Sequence, residues 1–442
     1  MLANLSPRHR SVLLAALDAV APARAVTAAL RLDGTTLHVG GVPIDLDSVR
    51  RVIVLGAGKA GAPMAQAVEA LLGDRVTAGM VVVKEGHSAP TVRVQLHEAG
   101  HPVPTQAGLD AGAALLALAR AAGPDDLVIC LLSGGGSALL EALPAPLTLA
   151  DMQATTALLL ASGASINEMN AVRKHLSLVK GGRLAQAVAP ARLVTLLLSD
   201  VVGSPLDVIA SGPTVADTST WAQAWGVVER YVLATHLPVP VMAHLRAGLE
   251  GSLPDTPKAG DAAFVRATTV IVGDNAHAAA AARVAAVQEG YNAAILTTFL
   301  EGEAREIARV AVALAREVQA HQRPLAAPAC LILGGETTVT LGETHGRGGR
   351  NQEIALAAAL ALEGAEGITI IALATDGSDG PTDAAGGWAI GATAARARAL
   401  GLHPHAALRS HDAYPLLDAA HALLHTGPTR TNVNDLLFVF VE

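Results

Sequence analysis

What most constrains this chain is a recurring order: a short unbroken apolar run, a glycine-rich loop, then an Ala/Leu-rich helical pattern. The runs are RVIVL at 51–55, GMVVV at 79–83, LVICLL at 127–132, LVTLLL at 193–198, TTVIV at 268–272, CLIL at 330–333 and ITIIALA at 368–374. They do not alternate apolar with polar residues, as strands do when one face meets water. Continuous apolar strands belong to sheets covered by helices on both faces. The expected fold class is therefore α/β with parallel sheet, and ligands are expected in the loops at the carboxyl ends of the strands.

Composition removes several functions. Half of the 442 residues are hydrophobic (51%), yet Gly, Pro or charge interrupts every apolar stretch before the roughly 18–20 residues that span a bilayer, so no membrane partner is expected. Lys and Arg number 31 against 39 Asp and Glu, a net charge of −8, and aromatics are only 2%. A broad nucleic-acid surface needs clustered cations and stacking rings, so no nucleic-acid partner is expected. An anionic ligand must be held locally by a few basic groups and backbone amides. Arg8, His9 and Arg10 before the apolar Ser11–Ala21 resemble the start of a signal peptide, but Asp18 interrupts the run, and Val12, Leu13, Ala16, Leu17 and Val20 form one helical stripe. With two scattered cysteines, cytoplasmic localisation is the expectation.

The stretch from 237 to 261 carries four prolines and polar turns, and TTVIVGDN then opens a new strand series. The expected division is a domain at 1–245 and a second at 246–442.

Chemistry gathers in the loops. After the first run, GAGKAG places Gly56, Gly58 and Gly61 as Gly-x-Gly-x-x-Gly, ahead of a helix striped by Met64, Val68 and Leu72. Such a loop admits phosphate to backbone amides at a helix start. Three readings stand: an anion site, a dinucleotide site with Glu85 near the ribose, or tight strand-to-helix packing. Lys59 at the loop tip favours a transferring phosphate over a bound pyrophosphate. SGGGS, Ser133 to Ser137 with Gly134, Gly135 and Gly136 between, follows LVICLL and forms a second candidate phosphate cradle. It is not a nucleophile elbow, because Leu139 stands where Gly-x-Ser-x-Gly needs glycine. HEAGH at 97–101 matches the zinc-protease pattern in letters, but Gly100, Pro102 and Pro104 deny it the helix that pattern requires, so no zinc site is expected.

INEMNAVRKHLSLVKGGRLA at 166–185 brings Asn170 and Arg173 into one helical segment, either a solvated face or a wall gripping an anion. Asp200 ends one strand; Asp376 and Asp379 follow another. Acids at such positions suit a Mg²⁺–nucleotide enzyme, although Asp/Gly turns explain them too. Glu336, Arg347 and Arg350 occupy GGETTVTL and GRGGRNQE, where arginines among glycines offer forks for phosphate or carboxylate.

Taken in order, GAGKAGAPMA, AGHPVPT, LLSGGGSALL, INEMNAVRKHLSLVKGGRLA, LSDVVGSPLDVIASGPT, GGETTVTL, GRGGRNQE, TDGSDGPTDAAG and TGPTRTNVNDL resemble the glycerate 2-kinase family, over roughly residues 10–440. The resemblance implies a Rossmann-like N-terminal domain, a smaller C-terminal α/β domain of the MOFRL type, and an active site in the interdomain cleft. It implies ATP-dependent phosphorylation of D-glycerate at its 2-hydroxyl with Mg²⁺. The family's functional lysine falls on Lys59 and its arginine on Arg350, with Arg347 close by. Gly56, Gly58 and Ser133–Ser137 are then expected to bind the nucleotide phosphates, Asn170, Arg173, Arg347 and Glu336 the substrate, and Asp200, Asp376 and Asp379 the metal. Homo-oligomerisation is left open. Two alternatives remain: an NAD(P)H-dependent hydroxypyruvate reductase, a name that members of this family have carried, and a non-catalytic sensor of a phosphorylated acid.

Overall fold

The computed structural model describes Leu2 and residues 4–442. Among the described residues, fifteen strands form three sheets. A small antiparallel meander, β1 (Leu30–Asp33), β2 (Thr36–Val39) and β3 (Val42–Asp45), comes first. Next come β4 (Arg51–Ala57), β5 (Val76–Lys84), β6 (Val94–Ala99), β7 (Asp126–Leu132), β8 (Arg192–Leu198) and β9 (Ala267–Gly273), in the spatial order β6-β5-β4-β7-β8-β9. The pairings from β6 through β8 are all parallel. Every residue of β7 is buried, as a central strand of continuous apolar residues requires.

From β4 the chain steps outward to β5 and β6, then returns to β7 on the other side and continues to β8. The carboxyl ends of β4 and β7 therefore meet where the strand order reverses, the position at which doubly wound sheets bind ligands. Ala57 pairs with Leu132 there, and GAGKAG and SGGGS emerge next to each other.

The third sheet is β10 (Asn292–Leu300), β11 (Ala329–Gly335), β12 (Ile368–Ala374), β13 (Gly386–Ala389), β14 (Leu423–Leu424) and β15 (Asp435–Val441), ordered β10-β11-β15-β12-β13-β14. Only β10 and β11 pair in parallel; β15 runs antiparallel between β11 and β12. Apolar continuity reports that both faces are covered and is silent on strand direction; the parallel sheet expected of the N-terminal region is present, and the C-terminal α/β region carries this mixed sheet. Alanine does the close packing: Ala278, Ala279, Ala282, Ala285 and Ala286 form the buried side of the helix Asn275–Gln288.

The chain divides into two compact units that do not follow a cut at 245/246. The first takes Pro22–Ser199 and Ser204–Val272; the second takes the chain up to Ala21, Asp200–Gly203 and Gly273–Glu442. The reasons are local. β9 completes the edge of the first unit's sheet beside β8. In the second unit, Arg8 on the N-terminal helix Pro7–Ala19 donates to the Glu289 carbonyl at 2.7 Å and stacks over Tyr291 at 4.0 Å. His9 stacks on Phe440 of β15 at 4.1 Å.

Candidate active site

In the first unit the two glycine loops are pressed together. A methyl placed on Gly56 would fall 2.3 Å from the Leu131 carbonyl oxygen, and one on Gly58 would fall 2.1 Å from Ser133 Oγ. Gly58 also holds φ at +140°, which side chains disfavour. The first loop's amides are already engaged: Gly58 donates to Val82, Lys59 to Gly134, Gly61 to Gly58, and Ala60 to Ser133 Oγ at 3.0 Å. The expectation that Gly56, Gly58 and Ser133 bind phosphate is thereby corrected. The glycines let two strand ends approach, and Ser133, 1% exposed, fastens the loops.

Unengaged amides lie one loop further on. The amides of Gly134, Gly135 and Ser137 have no acceptor among the described residues. Gly135 and Ser137 are half-buried, and Gly136 turns into the short helix Gly136–Leu139. A methyl on Gly135 would come within 3.0 Å of the His101 ring and 3.4 Å of Lys59 Cε, so the lysine side chain lies along this loop. His87 Nδ1 sits 3.1 Å from the Lys59 carbonyl oxygen. Burial, followed by the charges of Lys59, Lys84 and His87, pushes His101 down to about 4 and keeps its imidazole neutral. The motif AGHPVPT was legible in the sequence; its closeness to Lys59 was not.

Beneath this loop lies a polar network. Ser137 Oγ is 2.7 Å from Ser211 Oγ, which donates to Asn170 Oδ1 at 3.1 Å. Arg173 donates to the Ser137 carbonyl at 3.1 Å, and its Nε is buried with no partner among the described residues. The helix Ile166–His175 is thus no solvated face: Asn170, Arg173, Lys174 and His175 are all buried. Expected to touch substrate, Asn170 and Arg173 instead carry the loop from below. Ser211, absent from the sequence-level assignment, joins them. Ala210 (φ +50°), Ser211 (φ +61°) and Gly212 (φ +59°) form a left-handed run, a strained geometry of the kind that clusters at functional sites.

The second unit contains a cavity of about 590 Å³ at the carboxyl ends of β11 and β12, lined by Glu336, Arg350, Asp376 and Asp379 among others. Arg350 opens the helix Arg350–Ala361 and is gripped by Asp435 through Nε and Nη2 and by Glu336 at 2.6 Å through Nη1. Asn434 Nδ2 steadies Glu336 at 2.9 Å and also donates to the Asp200 carbonyl at 2.7 Å. Burial pushes the Asp435 carboxyl up to about 7 against the opposing pull of Arg350. Two of the five guanidinium N–H groups remain for a ligand. Arg347, expected at the substrate, lies outside this cavity. Its guanidinium stacks 3.9 Å over Tyr414 and faces Asp383 at 3.7 Å, because the Arg347 backbone is pinned to Asp412 and Tyr414.

The three acids expected to bind metal occupy different settings. Asp379 is buried, and its oxygens accept the Asn351 and Gln352 amides at 3.1 and 2.8 Å, so it caps the helix that carries Arg350. Asp200 is half-buried. Asp376, also half-buried, spends one oxygen on Ser378, leaving the other on the cavity wall with no partner among the described residues. Among the described residues no three of His, Cys, Asp and Glu gather as a metal cluster. A magnesium ion carried by nucleotide phosphates takes one or two carboxylates, and Asp376 fits that role. In HEAGH, His97 and Glu98 lie on β6, where residues four apart do not form the zinc-protease face.

A family model described as a domain of unknown function, DUF4147, matches residues 8–246, and one described as the MOFRL family matches residues 329–435. A D-glycerate 2-kinase of Thermotoga maritima is 46% identical over 388 residues, covering 88% of this chain and 90% of that protein. The chain belongs to the glycerate 2-kinase family. The solved structure of a glycerate kinase from Thermotoga maritima matches with a TM-score of 0.89 at 41% identity, covering 98% of this chain and 99% of that one. A relative from Agrobacterium vitis, 47% identical over 88% of this chain and 87% of its own length, carries a provisional name as a hydroxypyruvate reductase. That name sits poorly with the engaged Gly-x-Gly-x-x-Gly amides, since a dinucleotide pyrophosphate needs such amides free. Glycerate 2-kinase family membership thus agrees with the order of motifs along the sequence and with the α/β architecture.

Proposed function

We propose that this chain phosphorylates D-glycerate at its 2-hydroxyl, using ATP with Mg²⁺ and releasing ADP and 2-phosphoglycerate. The observation that carries the reading is Lys59 lying along a loop whose Gly134, Gly135 and Ser137 amides lack acceptors among the described residues, in a chain of this family. The glycerate oxygen attacks the γ-phosphorus, the bond to the β-phosphate oxygen breaks, and ADP leaves. Negative charge spreads over the equatorial oxygens during this step. The three amides and the Lys59 ammonium oppose that charge from fixed positions, with Arg173 adding a buried cation below the loop. The hydroxyl proton needs an unprotonated base, and His101, held neutral beside Lys59, offers one. Arg350, oriented by Asp435 and Glu336, keeps two donors for an anionic ligand in the second unit's own cavity. Asp376 would hold the magnesium ion, which supplies neutralisation of phosphate charge when bound.

Cytoplasmic location is part of the proposal. Cys130 and Cys330 are free and buried, and burial raises the Cys130 thiol to about 12, as suits a compartment where thiols stay reduced. No single helix among the described residues is long and apolar enough to cross a membrane; one bent pair, Pro7–Ala19 with Pro22–Ala29, passes on length and composition.

The test is a coupled assay. Enolase should convert the product directly, without phosphoglycerate mutase, and hydroxypyruvate should consume no NADH or NADPH. A product that needs mutase first would place the phosphate elsewhere, and reduced-nicotinamide consumption would revive the reductase.

A further inference from the structure

The first unit holds a second large space that the reaction as described leaves without a task. It lies between the helix Ile166–His175, the turn at 205–208 and the helix Trp221–Arg230, with a volume of about 730 Å³. Glycerate has seven non-hydrogen atoms and would leave most of such a space empty. Pockets of 300–1,000 Å³ with apolar walls and a few placed polar groups are the size that receives nucleosides and cofactors.

Its chemistry is graded. Ala171, Pro205, Val208 and Val227 give apolar walls, while Lys174 and Asp207 lie among the polar groups. Asp207 Oδ2 faces Lys174 Nζ at 3.5 Å, and Oδ1 has no partner among the described residues, leaving a carboxylate oxygen able to accept from a ribose hydroxyl. Asn170 also lines the cavity. Through Ser211 it stands two hydrogen bonds, of 3.1 and 2.7 Å, from Ser137 on the loop with the unpaired amides. A polyphosphate chain spans that interval. We propose that this cavity receives the nucleoside end of the phosphoryl donor, with the phosphates running past Asn170 and Ser211 to Gly134–Ser137 and Lys59. The proposal deepens the kinase reading and rests on it for the identity of the donor.

Gly226 provides the test. It lines the cavity on the helix Trp221–Arg230, and a Cβ added there meets nothing within 4 Å. Gly226→Leu therefore starts into the cavity with no clash at Cβ and adds a better helix former. Expected results are a KM for ATP raised at least tenfold, a KM for D-glycerate within twofold of the parent, and ADP affinity, by titration calorimetry, lowered by a similar factor. Gly226→Ala should behave as the parent, and neither variant should melt earlier. Wild-type protein photolabelled with 8-azido-ATP should carry the label on peptides within 166–174 or 205–230. An unchanged ADP affinity in folded Gly226→Leu, a rise confined to the glycerate KM, or label on the 336–350 segment would overturn the assignment. Absence of ADP binding to the parent would overturn it as well. If the parent binds ADP and does not phosphorylate glycerate, the kinase reading fails, and the calorimetry and labelling still decide the cavity.

Discussion

At the scale of single residues, the chain separates groups that look alike in sequence. Arg347 and Arg350 stand three apart in one glycine-rich loop, yet one stacks on Tyr414 and the other enters a cavity between Asp435 and Glu336. Arg350→Ala should lower kcat by roughly 10² or more, Arg347→Ala by no more than about threefold, as read by ADP release. The first change also strips buried Asp435 of its cation, so a loss of about 1–3 kcal/mol in denaturant unfolding accompanies it; Arg350→Lys separates the two effects by restoring part of the stability. Lys59→Ala should cost roughly 10² or more in kcat with little change in melting temperature, since Lys59 is half-buried and its ammonium has no hydrogen bond or ion pair among the described residues. Equal activity in Lys59→Ala and the parent would remove it from the chemistry. His101 carries a pH prediction. Its pKa in the folded chain, about 4, lies below the ordinary 6.5, so between those values the unfolded chain binds a proton that the folded one declines. Its contribution is constant above 6.5 and becomes increasingly destabilising as pH falls toward 4. His101→Gln should flatten the dependence of melting temperature on pH in that window and reduce kcat; an unaltered curve would mean that His101 titrates normally.

At the scale of elements, neighbouring carboxylates take different duties. Asp379 caps a helix, whereas Asp376 keeps one oxygen on the cavity wall. Asp379→Ala should lower stability by about 1–2 kcal/mol, the usual loss for a helix cap. Asp376→Asn should instead raise the Mg²⁺ concentration needed for half-maximal activity with melting little changed. Identical metal titrations in the two variants would reduce Asp376 to a turn former. Legibility in sequence follows the same physics. β4, β5, β7, β8, β11 and β12 are readable because strands buried on both faces must be apolar throughout, and β9 is readable as an apolar run although its edge position leaves it half-buried. β10 escapes notice because it is a partly exposed sheet edge with threonines in it. β1–β3 escape because four-residue strands with open faces carry little pattern. Within the site, Lys59 and SGGGS stand out because glycine and lysine at strand ends are chemically loud. Ser211 and Asp435 do not, since what matters about them is a neighbour 74 and 85 residues away.

At the scale of the whole molecule, the N-terminal helix is a structural part of a unit built mainly from the last third of the chain. Val12, Leu13 and Ala16 are buried there, and burying a Val or Leu side chain contributes roughly 1.5–3 kcal/mol. Deleting residues 1–21 should therefore destabilise the second unit by about 4 kcal/mol or more, and limited proteolysis should cut first beyond residue 273. First cuts within 22–199 would show that the helix supports the other unit. The division of the chain has a further consequence. The backbone passes from one unit to the other four times, at 21/22, 199/200, 203/204 and 272/273. A gene broken once, anywhere along its length, cannot release either unit whole. Recombination that trades domains as cassettes is closed to this protein, and any exchange of one half for a relative's must carry matched pieces from both ends and the middle of the gene.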